Sequence, residues 1–298
     1  MESNASRLNR VASLTLNLFF VILSVLIVAP FVLIVSVSLT DEQALTQFGY
    51  AFIPSKFSAL AYEYLLQSPA VILRAYANTA FIAVVGTLLS LLLTSIVGYA
   101  ISRRDYRLRA PLTIYVFIPM MFSGGLVPFY ILMTQYLHLK NSLWAIILPG
   151  LLSPFYVLIM KGFMGKIPYE IIESAKMDGA SEVRIFFRII LPLSTAALAT
   201  LGLFTAFNYW NEWFNALLFI DDDRRVPLQL LLVRIMNTLD FLRNNSAYIQ
   251  NLGIDMSQFP NESVRMALVV LVAGPMMFVF PFFQRYFVQG MTVGSLKG

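Results

Sequence analysis

The sequence predicts an all-α integral membrane protein with six transmembrane helices, because of its composition, the length of its apolar runs and the placement of its charges. The 298 residues are 58% hydrophobic and 12% charged, whereas about one quarter of the residues in a soluble domain are charged. The apolar runs exceed the ~20 residues that a spanning helix needs, and they lack the ~10-residue alternation of strands in a membrane barrel. The chain is therefore expected to form a helical bundle in lipid.

Six apolar segments are long enough to cross a bilayer. They are residues 14–39, 75–101, 110–135, 142–161, 193–220 and 264–289. The first is too long for the apolar core of a cleavable signal peptide, so it is expected to remain as an anchor. The third is interrupted by the sequence SGG at 123–125. A break of this kind is tolerated at membrane depth only inside protein or beside a cavity.

Positive charges are concentrated on one side of these segments. Most of the 21 lysine and arginine residues lie in the N-terminal segment 1–13, in every second loop, and in or next to the tail 290–298. Because cytoplasmic loops carry this excess, both termini and the segment 162–192 are predicted to be cytoplasmic, and the long loop 221–263 to lie outside. Positive charge at the anionic inner leaflet predicts contact with membrane lipid and gives no reason to expect a nucleic-acid partner.

The chain contains no cysteine and one histidine. Without cysteine there is no disulfide, no thiolate ligand and no thiol nucleophile, and one histidine does not make a histidine-cluster metal site. We therefore predict no metal site and no catalytic residue.

The cytoplasmic stretch KIPYEIIESAKMDGASEVRIFFRIILP, residues 166–192, has the pattern of two short helices around a glycine. Gly179 is expected just past the first helix, where a positive φ is needed, and Ser181 is expected to cap the second. One apolar face should carry Val183, Phe186, Phe187 and Ile190. This periodicity alone indicates an amphipathic pair at the membrane surface that joins two spans.

The spacing of individual residues in this stretch is more specific than its periodicity. It matches the pattern E-A-A-x3-G-x9-I-x-L-P of the EAA loop in permease subunits of ABC importers, with Ser174 in place of the first alanine. The matching residues are Glu173, Ala175, Gly179, Ile189, Leu191 and Pro192. The chain thus resembles this family, which implies the type I ABC importer permease fold, with residues 14–298 as one transmembrane permease domain.

Further stretches resemble the carbohydrate-uptake branch of that family. They are WNEWFNALLFI at 210–220, VPLQLLL at 226–232 and the ending QRYFVQGMTVGSLKG. Within the branch, the chain is similar to the smaller permease of maltose-type importers, and more so to permeases for oligosaccharides and polysaccharide fragments. The resemblance implies a transport subunit of the bacterial inner membrane, not an enzyme, that moves an oligosaccharide.

The same resemblance implies the partners. A second, homologous permease would complete the path, two ATPase subunits would bind ATP and Mg²⁺, and an extracytoplasmic binding protein would deliver the sugar to the outer loop. This chain would bind no cofactor itself, which agrees with the absence of the phosphate-binding pattern G-x4-G-K-[ST] from its sequence. The last residues, Lys297 and Gly298, would approach the interface of the two ATPase subunits.

In the family, the EAA loop is a coupling helix that docks on the ATPase. By resemblance, Glu173 would make a polar contact with the ATPase, Ala175 would keep the contact face small and Gly179 would permit the turn. Leu191 and Pro192 would join the loop to the fifth span.

Polar residues lie on one predicted face of the fifth span. They are Asn208, Asn211, Glu212 and Asn215, with Trp210 and Trp213 among them. A carboxylate within a span costs about 2.5–3.5 kcal/mol on insertion scales, so it normally faces a cavity or a partner. Two interpretations stay open. In the first, this stripe lines the translocation path, where its amides and carboxylate hydrogen-bond sugar hydroxyls and its aromatic rings stack on sugar faces. In the second, the stripe packs against the second permease through hydrogen bonds between helices.

Two alternatives concern the solute and its energy source. The same machine could carry a non-sugar solute such as a peptide or phosphate. An ion-coupled secondary carrier would instead show inverted repeats and paired intramembrane charges, but the predicted spans hold a single carboxylate and no clear repeat.

Overall fold

Helices make up nearly all of the regular structure. The computed structural model describes residues 2–245 and 261–295, and within them the one β contact is an isolated bridge between Thr40 and Phe57. A helix satisfies its backbone hydrogen-bonding groups internally, which is what an apolar environment requires. The predicted all-α fold is confirmed.

The α-helices follow one another along the chain, and short 3-10 or π-helical turns lie between some of them. In order they are α1 (Glu2–Ser38), α2 (Glu42–Phe48), α3 (Leu60–Leu65), α4 (Pro69–Ser102), α5 (Arg109–Met121), α6 (Leu126–Ile131), α7 (Trp144–Ile147), α8 (Pro154–Met164), α9 (Tyr169–Met177), α10 (Glu182–Ile185), α11 (Leu191–Leu193), α12 (Thr195–Trp210), α13 (Phe214–Phe219), α14 (Leu228–Asn244) and α15 (Asn261–Ser295). Single π-helical turns cover Leu132–Tyr136 and Phe186–Ile190, and 3-10 turns cover Leu148–Gly150 and Asp223–Arg225.

Three helical stretches are long and apolar enough to cross a membrane by themselves: Ser13–Ser38, Pro69–Ser102 and Asn261–Val279. They correspond to the first, second and last predicted spans. Three further helix pairs qualify when each pair is taken together, so the described residues contain three spans, or up to six if every bent pair is one span. The chain is a multi-pass membrane protein, and the arrangement with six spans stays a prediction.

The bends fall where the sequence disfavours a continuous helix. α5 and the helical stretch that begins with α6 meet at 113° across SGG, where Gly125 has a φ of 85°, a conformation that other residues rarely adopt. The predicted interruption at 123–125 is therefore confirmed. The stretch that begins with α7 meets α8 at 49°, and Pro154 at the start of α8 has no N–H to continue the preceding helix.

The fifth predicted span, 193–220, is not one continuous helix, and that expectation is wrong. α12 ends at Trp210, residues 211–213 are irregular, and α13 begins after them. The Glu212 carboxylate accepts a hydrogen bond from the Asn215 N–H at 2.9 Å. A side chain that bonds nearby backbone competes with the helix, and here it caps the start of α13 instead of extending α12.

The chain comprises two structural units. One consists of Met1–Pro69 and Ile235–Ala273, and the other of Ala70–Arg234 and Gly274–Gly298. Apart from the C-terminal tail, the candidate functional residues discussed below belong to the described part of the second unit.

In the first unit, the carboxylate of Glu42 in α2 caps the start of α15. It accepts hydrogen bonds from the N–H groups of Glu262 at 2.9 Å and Ser263 at 3.1 Å, and from the Ser263 hydroxyl at 2.9 Å. The first N–H groups of a helix have no partner within it, and negative charge is favourable at this end. Glu42 therefore fixes the beginning of the last helix from a position far away in sequence.

The outer loop predicted at 221–263 contains more regular structure than the sequence indicated. α14 occupies Leu228–Asn244, and the end of the predicted loop already belongs to α15. Arg243 near the end of α14 forms an ion pair with Glu262 at 3.1 Å. Residues 246–260 lie outside the described part of the chain.

In the second unit, Tyr209 of α12 packs unusually closely against glycines. Its hydroxyl donates to the Ile147 carbonyl at 2.8 Å. A Cβ added at Gly86 of α4 would lie 2.6 Å from the Tyr209 ring, and one added at Gly150 would lie 2.9 Å from the Tyr209 hydroxyl oxygen. Small residues let helices approach closely in membranes, so these glycines set how near α4 can come to α12.

We expect Gly86→Ala to destabilise the protein by about 1–3 kcal/mol, because the added methyl overpacks a contact that has no room for it. The unfolding midpoint of the purified full-length chain in detergent measures the change. Gly124→Ala is the matched control, since a Cβ at Gly124 would meet nothing within 4 Å, and it should leave the midpoint close to the wild-type value. An unchanged midpoint for Gly86→Ala would contradict the close packing around Tyr209.

Candidate functional site

The predicted turn at Gly179 is present. α9 ends at Met177, and Gly179 has a φ of 75°, in the left-handed region that favours glycine. Its N–H donates to the Lys176 carbonyl at 3.0 Å, and the Ala180 N–H donates to the Ala175 carbonyl at 2.9 Å, which satisfies carbonyls at the helix end. A Cβ added at Gly179 would meet nothing within 4 Å. Backbone conformation, not lack of space, therefore requires glycine here.

The second helix starts as predicted, at Ser181. The Ser181 hydroxyl oxygen accepts a hydrogen bond from the Arg184 N–H at 3.4 Å. From there α10, the π turn and α11 run without a gap to a bend of 79°, after which α12 begins. This continuous stretch contains Ile189, Leu191 and Pro192, so it connects the Gly179 turn directly to α12.

One side of the segment 162–192, which is predicted to be cytoplasmic, is buried. Ile172 of α9 belongs to an apolar cluster with residues of α8, α10 and the start of α12, and Ala175 and Leu191 pack against that cluster. The buried members are Met160, Met164, Ile172, Ile185, Phe186, Ile190, Ala197 and Leu201. The segment is thus held to the membrane-spanning helices through its apolar side.

The apolar face predicted for the second helix is only partly correct. Phe186 and Ile190 are buried, but Val183 and Phe187 are exposed, and Ile185 takes a buried place instead. The prediction assumed the α-helical period, whereas Phe186–Ile190 forms a π turn, which is wider and shifts the residues within and after it around the axis. This accounts for Phe187, but not for Val183 and Ile185, which precede the turn.

The other side of α9 is exposed. Glu173 is exposed, and 88% of the Met177 surface is accessible. Ile171, Val183 and Phe187 are exposed as well. Glu173 and Met177 are four residues apart and share one helical face, and a large apolar side chain exposed beside a carboxylate is typical of a surface that a partner covers.

A cluster of four charges joins this segment to the end of α4. Arg103 is 7% exposed and pairs with Asp105 and, at 3.1 Å, with Glu182 at the start of α10. Lys176 of α9 pairs with the same two carboxylates, at 3.1 Å and 3.0 Å. The guanidinium also lies over the ring of Tyr99, 5.4 Å from its centroid. We call Arg103, Asp105, Lys176 and Glu182 the four-charge cluster.

The pKa values of the cluster reflect this mutual pairing. Hydrogen bonding to the Arg103 guanidinium holds the pKa of Asp105 well below its usual range. Burial opposes ionisation of Glu182, but the Lys176 hydrogen bond and the Arg103 charge outweigh it and lower the Glu182 pKa. Hydrogen bonds to Glu182 and Asp105 raise the pKa of Lys176. All four groups therefore stay charged around neutral pH. The pairing would be lost as the pH falls below the ordinary range of carboxyl groups, and the share of Lys176 would be lost as the pH rises above the ordinary range of lysine.

This cluster was not predicted from the sequence. The arginines after the second span were interpreted only as orienting charges, because nothing in the spacing of Arg103 and Lys176 shows that they share partners. A basic residue next to an acidic one directly after a span, as in Arg103 to Asp105, was the available signal.

The polar residues predicted to share one helical face surround a cavity instead. Because α12 ends at Trp210, the residues after it leave the helical path and form one wall of a cavity of about 640 Å³. The other wall comes from the segment around Gly150 and from the start of α8. Its lining residues are Ile146, Pro149, Gly150, Ser153, Phe155, Tyr156, Thr205, Phe207, Asn208, Tyr209, Asn211, Glu212, Trp213, Phe214 and Asn215.

Amide and hydroxyl groups contact one another along this cavity. Asn208 donates to the Tyr156 hydroxyl at 2.9 Å. Asn211 accepts a hydrogen bond from Gln229 at 2.9 Å, and Glu212 holds the Asn215 N–H. Amide and hydroxyl groups can both donate and accept, so this wall suits a ligand that is rich in hydroxyl groups.

Trp210, which we had grouped with these residues, lies elsewhere. It is buried, and its ring centroid is 6.4 Å from that of Tyr76. The helix break separates it from Trp213, whose ring is exposed at the cavity. Lys297 and Gly298, expected to approach the ATPase, lie outside the described residues.

The chain matches a known protein family over most of its length. The family described as "Binding-protein-dependent transport system inner membrane component" matches residues 90–293. Among individual relatives, the chain is 35% identical to the "Polygalacturonan/rhamnogalacturonan transport system permease protein YtcP" of Bacillus subtilis (strain 168), over 97% of this chain and 99% of that protein. It is 37% identical to "Protein LplC" of the same organism, over 91% and 90% of the two chains.

A solved structure has a similar fold. It is that of "a bacterial ABC transporter involved in the import of the acidic polysaccharide alginate", with a TM-score of 0.80 and 28% sequence identity, and the match covers 93% of this chain and 97% of that chain. The fold predicted from the EAA-loop resemblance is thus confirmed. From the family match and these relatives together, the chain belongs to the family of inner-membrane components of binding-protein-dependent transport systems.

Proposed function

We propose that this chain is one of two permease subunits of an ATP-driven importer in the bacterial inner membrane, and that it moves an oligosaccharide. The observation that carries the proposal is the cytoplasmic turn, where Gly179 at positive φ separates a helix that exposes Glu173 from a helical stretch that leads into α12. The names of relatives that refer to polygalacturonan, rhamnogalacturonan and alginate support a saccharide as the solute. They do not favour a peptide or phosphate.

Two ATPase subunits would supply the energy, with one of them docked on the exposed side of α9. ATP and Mg²⁺ would bind to those subunits and not to this chain. Glu173 offers the docked subunit a polar contact, and Met177 beside it offers an apolar one. Nucleotide can drive transport only if it binds two conformations with different affinities, so a displacement of α9 has to reach the spans.

Two connections lead from α9 into the membrane-spanning helices. The first is the helical stretch with Ile189, Leu191 and Pro192, which continues into α12 across the 79° bend. The second is the four-charge cluster, which holds α9 and α10 to the end of α4. Movement of α9 would therefore act on α4 and α12 together.

The cavity beside the α12–α13 break would form part of the sugar path. Its amides and the Glu212 carboxylate can bond sugar hydroxyls, and the exposed Trp213 ring offers an apolar face to a sugar ring. A cavity of about 640 Å³ has the size of common small-molecule sites. The rival interpretation, in which these side chains only pack on the second permease, predicts a different effect of substitution and is tested below.

The remaining partners and the orientation follow from the distribution of charge and from the family. We propose that both termini are cytoplasmic and that the segment around 221–263 faces an extracytoplasmic binding protein, which delivers the sugar. Membership of a binding-protein-dependent family does not favour the ion-coupled carrier.

Reconstitution tests the function as a whole. The chain is co-expressed with its second permease and ATPase, purified as a complex and placed in liposomes with the binding protein enclosed or added. Uptake of a labelled oligosaccharide should require ATP and the binding protein. Uptake by the chain alone without ATP would overturn the proposal in favour of a carrier.

We expect Gly179→Ala to reduce transport by roughly tenfold or more while ATP hydrolysis continues, because the added Cβ strains a left-handed turn by ~1–2 kcal/mol and shifts α9 relative to α10. Uptake and hydrolysis by the reconstituted complex are measured in parallel. Gly49→Ala is the matched control: Gly49 also has a positive φ, of 74°, and its Cβ would also meet nothing, but it lies outside the cytoplasmic segment. Equal losses of transport in the two variants would show that strain alone is responsible.

We expect Arg103→Ala to destabilise the complex by about 1–3 kcal/mol and to lower the sugar transported per ATP hydrolysed, because Asp105 and Glu182 lose a largely buried partner. The unfolding midpoint and the transport-to-hydrolysis ratio are the two measurements. Lys140→Ala is the control, since Lys140 forms an exposed ion pair with Asp221 at 2.8 Å, and exposed pairs contribute little to stability. If the Arg103→Ala complex is as stable as the wild type and transports as much sugar per ATP hydrolysed, the four-charge cluster does not transmit movement of α9 to the spans.

We expect Trp213→Ala to lower uptake by roughly five- to tenfold through loss of the aromatic face, with the four-subunit complex still assembling. Trp144→Ala is the control, because Trp144 and Trp213 are both 42% exposed but only Trp213 lines the cavity. Size-exclusion yield reports assembly and liposome uptake reports transport. If Trp213→Ala loses the second permease during purification, the stripe is a packing surface instead of a path.

A further inference from the structure

The charge of the cavity bears on which saccharides can enter it. In the described part of the chain, the residues that line the cavity include no lysine, arginine or histidine, and their one ionisable acid is Glu212. Asn208, Asn211 and Asn215 on the same wall are polar but uncharged. The fixed charge that this chain contributes to the cavity is therefore a single negative one.

The Asn215 N–H at this wall is not free to bind an anion. The N–H of Asn215 at the beginning of α13 could attract a negative group, but the Glu212 carboxylate already accepts its hydrogen bond at 2.9 Å. The hydrogen bond also holds Glu212 at the cavity wall. A second carboxylate entering the cavity would meet this one without a compensating cation.

Neutral sugar units do not encounter this problem. Their hydroxyl groups can donate to Glu212 and can both donate to and accept from the amides of Asn208 and Asn215, since amides provide both functions. Their apolar faces can lie on the exposed ring of Trp213, whose neighbour Phe214 stands edge-on to it at 5.8 Å. A buried anion needs an opposite charge nearby, and repulsion between like charges grows where water is excluded.

We infer that this cavity takes uncharged saccharide units and discriminates against units that carry a carboxylate. The inference rests on the proposed function, and it adds the substrate class. It separates this chain both from the relative named for polygalacturonan and rhamnogalacturonan and from the structural neighbour whose title names an acidic polysaccharide, because a shared fold does not fix the charge of a cavity wall.

The test compares two probes with the same sugar units, one acidic and one uncharged. Trigalacturonate and its fully methyl-esterified form have the same sugar units and differ in the carboxylates. Equilibrium binding of each is measured on the purified complex of both permeases and the ATPase, without the binding protein, so that the selectivity of the binding protein does not enter. We expect the esterified form to bind at least tenfold more tightly to the wild-type complex.

Variants of this chain assign the preference to Glu212. Glu212→Gln should reduce the preference for the ester severalfold, whereas Glu63→Gln, the same change at an exposed position in α3 outside the cavity, should leave it intact. Equal or tighter binding of the acidic form, or a preference that Glu212→Gln does not alter, would overturn the inference. If neither form binds, and neutral oligosaccharides of other composition also fail to bind, the proposed sugar path itself is wrong.

Discussion

The structure depends on one constraint: where a helix stops in an apolar environment, its backbone hydrogen bonds must be satisfied nearby. At the beginnings of two helices, a carboxylate from outside the helix accepts the hydrogen bonds of its first N–H groups. Glu212 accepts the Asn215 N–H where α13 begins, and Glu42 accepts two N–H groups where α15 begins. The first of these breaks opens the wall of the cavity. The same hydrogen bond that interrupts the helix thus also places a negative charge where a solute would pass.

A second consequence concerns how the segment 162–192 is held against the spans. Its apolar side packs on α8 and α12, and such contacts are tolerant of small shifts, whereas the four-charge cluster is directional. A largely buried guanidinium with two carboxylates adds little net stability when compared with apolar packing, yet removing it leaves the two carboxylates with Lys176 as their remaining partner. Arg103 therefore fixes the position of α9 relative to the end of α4. If α9 moves during transport, as we propose, this is the connection that would carry its movement to the spans.

Local sequence patterns predicted the parts of this protein that depend on local geometry. The break at 123–125, the positive φ of Gly179 and the Ser181 cap follow from residues within one turn of the feature, and all three are present. The prediction of a continuous fifth span was wrong because periodicity cannot reveal that the Glu212 side chain accepts a hydrogen bond from the backbone N–H of Asn215. The four-charge cluster was missed for the opposite reason, since its members come from three segments that only the fold brings together.

The failure of the helical-face prediction changes the meaning of the polar stripe. On a continuous helix, Asn208, Asn211, Glu212 and Asn215 would form a narrow line, which suits a contact between two helices. With the helix ended at Trp210, the same residues spread around a concave surface, together with Tyr156 of α8 and an exposed Trp213. A concave wall with convergent amides is better suited to a small polar ligand than to a flat packing partner. Since this wall carries one negative charge and no positive one among its described residues, electrostatics, which the fold does not fix, would determine which sugars it admits.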